Sequence, residues 1–417
     1  MSLEMIKSLE DCISRCFLPE FSQSYDGSKY CPEFKLRENN LKQYFRKMLN
    51  LLENVDLNNN SSISVICLLV ILDLELQSEK SLNKDTKSGE YLQILNSAFT
   101  KKYGITLETV LRTDNLKTQE IFDNCLKFLY QKLVHGNFKK YPGLVYVYCN
   151  LFVKAEELKV IMNSLSVLPI SLVLIDDFSL DNKLKGLKCC SSILNCLSAN
   201  DFKDGNYYEV IYRSLKKNIV EKDLELTKVL LKCFLSVIDI FPQNHKNILL
   251  DDMFSIVLDQ LYTESNLYRK AECFVFVTKI IYLHRVNCVK KRIFKIVITD
   301  NLNICTESAV SEILLEPVIE CLQMWVKYCW CTWRLSSDRK LLSSLFKILY
   351  TAKEDCTRTK VQEIVTTLIL LCKKDEQQQL IDTLENIPHS KNVIFINNIQ
   401  SIKENIKSYL FFIFLVP

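Results

Sequence analysis

The chain has 417 residues, of which 48% are hydrophobic, and its formal net charge at pH 7 is +4. This length exceeds one ordinary compact core and predicts either several domains or an extended repeat array, while the apolar content excludes wholesale disorder. Acidic and basic residues are almost balanced, so the chain lacks the basic excess that is typical of nucleic-acid-binding proteins, and we expect no direct nucleic-acid partner.

Glycine and proline are scarce, with only seven and eight residues respectively, whereas average usage is roughly 7% and 5%. Doubly wound folds and barrels use glycine at many turns and in phosphate-binding loops. The shortage therefore favours an all-α fold.

The eighteen cysteines are not accompanied by an apolar signal segment near the first residue. We therefore expect a reduced, intracellular protein, with cysteine used as a small buried apolar side chain. There is no CxxC pair, and the four histidines, His135, His245, His284 and His389, lie far apart in the sequence. This pattern predicts no metal site and no cofactor.

In chain order, residues 1–136 are predicted to form an N-terminal helical region with polar loops at 54–64 and 77–90. Residues 137–405 read as a succession of amphipathic helices with short polar breaks. Residues 406–417 are predicted to form an apolar C-terminal tail. The predicted architecture is an α-solenoid of HEAT-like or armadillo-like helical repeats.

The stretch "SLVLIDDFSLDNKLKGLKCC", residues 171–190, allows two interpretations. Asp176 and Asp177 could end a buried strand and present carboxylates to magnesium, or they could form the turn between two helices. A nucleotide hydrolase needs a loop of the form GxxxxGK[ST], but no glycine in this chain is followed by lysine. A phosphoacceptor domain needs alternating strands, but helical patterns follow Asp177. These observations favour an inter-helix corner, with no catalytic residue.

The residues around this corner suit two consecutive helices. Pro169 fits the first turn of a helix, where its missing N–H costs nothing. Ser179 or Asp181 can cap the next helix, whose positive end would also favour an acidic residue. Gly186 inside that helix costs about 1 kcal/mol relative to alanine, so we expect a neighbouring helix to approach it closely.

This corner stretch and two later ones, 253–281 and 341–372, share one pattern, namely a short apolar helix, a polar turn and a longer helix with a basic residue near its start. Their equivalent positions are Leu184, Ala271 and Val361, separated by 87 and 90 residues. This is about twice the ~40 to 47 residues of a HEAT or armadillo repeat, and it leaves room for one more helix pair in each gap. The segment from Leu226 to Phe241 shows the helical period in the first gap, and Pro242 ends it.

Two clusters in the second half are candidates for surface contacts. The densest basic run, His284 to Val297, is predicted to be a solvated helix face, with a partner or nucleic-acid patch as the alternative. The aromatic cluster comprises Trp325, Trp330 and Trp333 together with a neighbouring tyrosine. It allows either core packing or partner contact, since tryptophan is enriched in interface hot spots.

The last residues, "YLFFIFLVP" from Tyr409 to Pro417, are too short an apolar run to cross a bilayer, which needs about 20 residues. We therefore expect no membrane segment here. The run can pack on the last repeat, enter a partner groove, or be a chain end that is foreign to the native protein.

The segment from Leu168 to Leu194 resembles the signature of the Tel-two-interacting protein two (Tti-two) family. That signature is an apolar run, two aspartates, a short turn, an Asn-Lys pair and a helix with glycine. The positions that carry it in this chain are Asp176, Asp177, Asn182, Lys183 and Gly186. Similarity continues over roughly residues 140 to 400, although Trp333 is followed by arginine where the family has a Trp-Pro step.

The resemblance implies a non-enzymatic scaffold, the smallest subunit of the Triple T (TTT) co-chaperone complex. Its direct partners would be the other two subunits, which are helical-repeat proteins of the Tel-two and Tti-one type. Its indirect partners would be heat-shock protein ninety, the RuvB-like adaptor complex and phosphatidylinositol-3-kinase-related kinases. That role would connect it with mTOR signalling, the DNA damage response and telomere maintenance. A helical-repeat adaptor in nuclear transport or trafficking is the alternative.

Overall fold

The computed structural model describes residues 3–25, 27, 31–54, 62–82, 88–113, 117–202, 207–386 and 392–415. These residues form eighteen α-helices joined by turns and short 3₁₀ segments, so the all-α prediction is confirmed. The helices are α1 (Leu3–Cys16), α2 (Pro32–Glu53), α3 (Ile63–Leu82), α4 (Ser88–Tyr103), α5 (Thr118–Leu133), α6 (Pro142–Phe152), α7 (Ser164–Ile175), α8 (Leu180–Cys196), α9 (Tyr207–Lys217), α10 (Leu224–Ile240), α11 (Gln243–Thr263), α12 (Leu267–His284), α13 (Ile293–Ile304), α14 (Ser308–Cys329), α15 (Leu335–Thr351), α16 (Asp355–Leu370), α17 (Lys374–Glu385) and α18 (Val393–Leu415).

The chain forms two compact units. The first comprises Met1–Lys216 and Lys232–Ile240, and the second comprises Lys217–Leu231 and Phe241–Pro417. The predicted division after residue 136 is not a division in the structure. Helices α5 and α6, on either side of it, pack on each other and on α3, because all three bury apolar faces in one core.

In the first unit, α3 is the central helix. Val65, Ile66 and Ile71 lie on different sides of it and are at most 1% exposed, as expected for a helix whose first half is apolar all round. It packs against α1, α4, α5 and α6. Beyond it, α5 pairs with α6 and α7 pairs with α8, and each helix also packs on the equivalent helix of the next pair.

The second unit repeats the same arrangement. Helix α11 pairs with α12, α13 with α14, and α15 with α16. One layer is formed by α11, α13 and α15, and the other by α12, α14, α16 and α18. Within each unit, stacked helix pairs bury a continuous core between two layers, which is the α-solenoid organisation predicted from the sequence.

The predicted repeat spacing is confirmed. Leu184, Ala271 and Val361 lie on α8, α12 and α16, each of which is the second helix of its pair. One further pair lies between each of these positions in the chain, namely α9 with α10 and α13 with α14. A pair therefore recurs about every 45 residues, within the range of HEAT-type arrays.

In α12 and α16, the basic residue near the start of the helix closes the corner before it. Arg269 is 1% exposed and donates hydrogen bonds to Glu264, to the hydroxyl of Thr227 and to the carbonyl of Ile219. Arg358 donates in the same way to two backbone carbonyls of the turn that precedes α16. A buried guanidinium thus satisfies carbonyls that the helix ends leave unpaired.

The two polar loops predicted near the N-terminus are shorter than expected. For the stretch 77–90, α3 continues to Leu82 and α4 begins at Ser88. Leu82 packs into an apolar cluster with Phe21 and Phe34, which holds the last turn of α3 in place. For the stretch 54–64, the described residues on either side belong to α2, a 3₁₀ turn and α3, and residues 55–61 lie outside the described part.

Two further expectations concern helix ends. Pro169 lies inside α7 and not in its first turn, because the helix already begins at Ser164, capped by the side chain of Asn163. The tail predicted to begin at residue 406 is continuous with α18 as far as Leu415. The side chains from Tyr409 onward lie outside the described part of the chain.

The cysteines are mainly core residues. Fourteen of the eighteen are buried, and all eighteen are free thiols. Three are exposed, Cys196, Cys331 and Cys356. The predicted use of cysteine as a small apolar core residue is therefore confirmed for most of them.

Candidate functional site: the corner between α7 and α8

The family-like motif occupies the corner where α7 ends and α8 begins. Helix α7 ends at Ile175, Asp176 is its C-cap residue, and α8 begins after Ser179. The carbonyl of Ser179 accepts the N–H of Lys183 at 3.0 Å, but its side chain makes no capping hydrogen bond. Asp181 lies in the first turn of α8, near the positive helix end, as expected for an acidic residue there.

Asp177 is held inside the corner by two side chains. Its Oδ1 lies 2.8 Å from the Nζ of Lys139, and its Oδ2 accepts a 2.8 Å hydrogen bond from Asn182. Burial raises the pKa of Asp177, but the hydrogen bonds from Asn182, Lys139 and the Phe178 backbone outweigh it, so the pKa lies below its ordinary value. The ionised carboxylate therefore joins the turn before α6 to the start of α8.

Asp176 faces a different neighbour. Its Oδ1 accepts a 3.0 Å hydrogen bond from the hydroxyl of Ser214 on α9. The two adjacent carboxylates thus bind groups on different elements, and each connects the corner to another part of the first unit. This arrangement suits a structural joint, in which the acids fix the relative positions of helices.

Gly186 lies where α8 crosses α7. A Cβ atom added at this position would lie 2.8 Å from both the backbone nitrogen of Ile175 and the backbone oxygen of Ser171. Both of these neighbouring atoms belong to the backbone and cannot rotate away as a side chain could. The close helix approach expected from the sequence is therefore present, and it accounts for glycine at this position.

The corner also presents an exposed aromatic residue that the sequence reasoning did not single out. Phe178 is 83% exposed. The ammonium of Lys139, which also pairs with Asp177, lies 3.8 Å from the centre of the Phe178 ring. The available signal in the sequence was its position directly after two aspartates in the turn between two helices.

The tryptophan cluster divides into buried and exposed members. Trp325 is 2% exposed and stacks on Phe294 with ring centres 5.6 Å apart. Trp333 is also 2% exposed, and its indole N–H donates to the sulfur of Cys372. Only Trp330, at 52% exposure, presents its ring to the surface. Partner contact through Trp325 or Trp333 is therefore wrong for this fold, because both side chains are core residues.

Across the described residues, no three His, Cys, Asp or Glu side chains lie close enough together to hold a metal ion. Among the helices in that same part of the chain, none combines the length and apolar character that a bilayer span requires.

Comparison with known proteins gives a likeness in structure but none in sequence family. No protein-family model matches this chain, and no curated protein is similar to it. A crystal structure of an engineered protein aligns with 96% of this chain and 99% of its own, at 10% sequence identity and a TM-score of 0.45.

Proposed function

We propose that this chain is a non-enzymatic scaffold subunit of the Triple T co-chaperone complex, which supports the maturation and stability of phosphatidylinositol-3-kinase-related kinases. The supporting observation is the role of the motif residues between Leu168 and Leu194. The residues that carry the Tti-two resemblance are also the ones that hold the α7–α8 corner together, through Asp177, Asn182 and Gly186.

The placement of the two aspartates favours a scaffold over an enzyme. A magnesium-dependent hydrolase would direct its carboxylates at one shared ion. Asp176 and Asp177 instead bind Ser214 on one side and Lys139 with Asn182 on the other. Each carboxylate already has a protein partner that satisfies it.

The proposed partners are the Tel-two and Tti-one type subunits, with heat-shock protein ninety, the RuvB-like complex and the kinases bound indirectly. Stacked helix pairs offer long continuous surfaces for such helical-repeat partners. The exposed rings of Phe178 and Trp330 are the aromatic side chains that we propose as contact points, because aromatic residues dominate interface energetics. In this role the protein acts in the cytoplasm and the nucleus.

The test is affinity capture of the tagged full-length chain from cells, followed by mass spectrometry and by measurement of kinase levels after acute depletion. We expect recovery of both other Triple T subunits and a fall in the levels of mTOR and the checkpoint kinases. Recovery of nuclear-transport or trafficking proteins, without either subunit, would favour the adaptor alternative and contradict the proposal.

An enzymatic role is tested separately with the purified chain and its Asp177→Asn variant. We expect no magnesium-dependent ATPase or phosphatase activity above the background of a mock purification. An activity that is lost in a folded Asp177→Asn protein would overturn the assignment of a scaffold.

A further inference from the structure

The second unit contains a groove of about 1080 Å³ that the proposed function does not use. Its walls come from the 3₁₀ segment after α12, from α13 and from the beginning of α15. Four cations of the basic run identified in the sequence, Lys290, Lys291, Arg292 and Lys295, therefore lie along a concave surface and not on a single flat helix face.

Positive charge dominates this groove. Five cationic side chains and two carboxylates line it, which leaves a net charge of +3. Lys295 is neutralised by Asp338 at 2.7 Å, and Lys291 by Asp251, which lies outside the groove, at 2.9 Å. The remaining cations are Lys290, Arg292 and Lys340.

Those three cations are exposed and have no ion-pair partner in the part of the chain that the structure describes. The carboxylate of Asp300 also faces the groove and is exposed, so it offsets only part of their charge. Three like charges along one concavity raise the local concentration of anionic ligands. An arginine among them can also bind a carboxylate through two parallel hydrogen bonds.

The groove also contains apolar surface. Ile296, which projects from α13 between the charged residues, is 54% exposed. Trp325 and Leu341 are buried beneath the groove and supply its floor. A small polyanion would leave this surface uncovered, whereas a peptide can place an apolar side chain on it.

We infer that this groove binds an acidic linear segment of a protein partner, with Asp or Glu side chains on Lys290, Arg292 and Lys340 and an apolar side chain over Ile296. Charge complementarity carries the inference, and the apolar floor favours a peptide over a nucleic acid or a small polyanion. The inference does not depend on membership of the Triple T complex, because it rests on the groove alone.

The test measures fluorescence anisotropy of a labelled peptide of glutamates with one central leucine, titrated with the full-length protein at about 150 mM salt. The matched peptide has glutamine in place of every glutamate. We expect the acidic peptide to bind and the glutamine peptide to bind at least about tenfold more weakly, a difference of about 1.4 kcal/mol. No binding of the acidic peptide, or equal binding of both, would overturn the inference.

Charge reversal locates the binding site. The variant Lys290→Glu, Arg292→Glu, Lys340→Glu is expected to weaken binding of the acidic peptide at least about tenfold. The matched control is Lys222→Glu, Lys279→Glu, Lys347→Glu, which changes the net charge equally at exposed residues of the same unit outside the groove. Equal loss in both variants would mean that the attraction is diffuse, and the groove would not be the site.

Ile296→Ser separates the peptide from other anions. We expect this change to weaken binding of the leucine-containing peptide and to leave an all-glutamate peptide unaffected. Inositol hexakisphosphate and a short single-stranded oligonucleotide serve as competitors. If either binds more tightly than the peptide and Ile296→Ser has no effect, the groove is an anion or nucleic-acid site and the peptide inference is wrong.

Discussion

Single atoms decide the packing at two glycines. An added methyl group at Gly186 would meet the backbone of α7, and one at Gly143 would lie 2.5 Å from the carboxylate of Glu75. That carboxylate forms a fully buried ion pair with Arg37. Gly186 therefore marks a close approach of two helices, and Gly143 leaves the space that the buried carboxylate of Glu75 occupies.

We predict that Gly186→Ala destabilises the protein by about 1 to 3 kcal/mol, although alanine favours helices by about 1 kcal/mol. The reason is that the new Cβ would collide with the backbone of Ile175 and Ser171. The urea midpoint measures the loss. Lys188→Ala, at an exposed position of the same helix, is the control and should be nearly neutral. A gain in stability for Gly186→Ala would show that α7 and α8 are less closely packed.

A buried carboxyl makes stability depend on pH. Asp73 is 1% exposed on α3, and burial raises its pKa to about 6, against hydrogen bonds from Asn96 and Gln77 that lower it. Since the folded state binds the proton more tightly than the unfolded state, stability falls as pH rises from about 4 to about 6. At pH 7 the buried Asp73 is ionised, and this loss of stability is present.

We therefore predict that the free energy of unfolding of Asp73→Asn, relative to that of the native sequence, increases by about 2 to 3 kcal/mol as the pH rises from 4 to 7. Urea unfolding at several pH values measures this difference. Asp123→Asn, at an exposed position on α5, is the control, and its free energy of unfolding should change with pH much as that of the native sequence does. A constant difference between Asp73→Asn and the native protein across this range would contradict the raised pKa.

At the scale of elements, α7 contains a proline where a helix normally excludes one. Pro169 lies five residues after the first residue of α7, so the carbonyl of Leu165 lacks its helical N–H donor. The helix persists because Val167, Leu168 and Leu174 are completely buried. Tertiary packing offsets the local cost.

Pro169→Ala is predicted to stabilise the protein by about 1 to 2 kcal/mol, since it restores a helical hydrogen bond at some cost in unfolded-state entropy. The matched control is Pro142→Ala at the first turn of α6, where proline displaces no hydrogen bond, and we expect no gain there. Thermal unfolding compares the two variants. Equal effects of both would mean that the position within the helix is irrelevant.

Local patterns predicted the helices, because each segment shows the helical period of apolar residues. They also predicted the repeat spacing, from the equivalent positions Leu184, Ala271 and Val361. They did not predict which aromatic rings would be buried. Trp330 and Trp333 lie three residues apart with opposite exposure, because a 3₁₀ turn after α14 reorients the chain. The partner of Asp177 was also beyond local patterns, since Lys139 lies far away in the sequence and only packing brings them together.

At the scale of the whole molecule, both units are built from the same kind of helix pair, and within a unit each pair contacts mainly its neighbours. Stability in such arrays is the sum of local terms and contacts between neighbouring repeats. A change such as Gly186→Ala is therefore expected to act most strongly on the pairs that adjoin α7 and α8.

The distribution of thiols gives a prediction for the folded chain as a whole. We expect a thiol-reactive reagent to modify Cys196, Cys331 and Cys356 quickly, because their side chains are exposed. The fourteen buried thiols should react only when their surroundings open, and burial also raises the pKa of several of them, including Cys273 and Cys305. Mass spectrometry of the intact protein counts the modified residues. Rapid modification of many more would contradict the packed core.

The buried cysteines are also intrinsic probes of local opening. They occur from α1 to Cys372 just after α16, with members in both units, and apart from the adjacent Cys189 and Cys190 they can be assigned to separate peptides after digestion. The rate at which each thiol becomes reactive records how often its own helix pair opens. The rates of thiol modification in the native sequence can thus show, without any added label, which helix pairs open most often. A comparison with and without a bound partner shows which of these openings the partner suppresses.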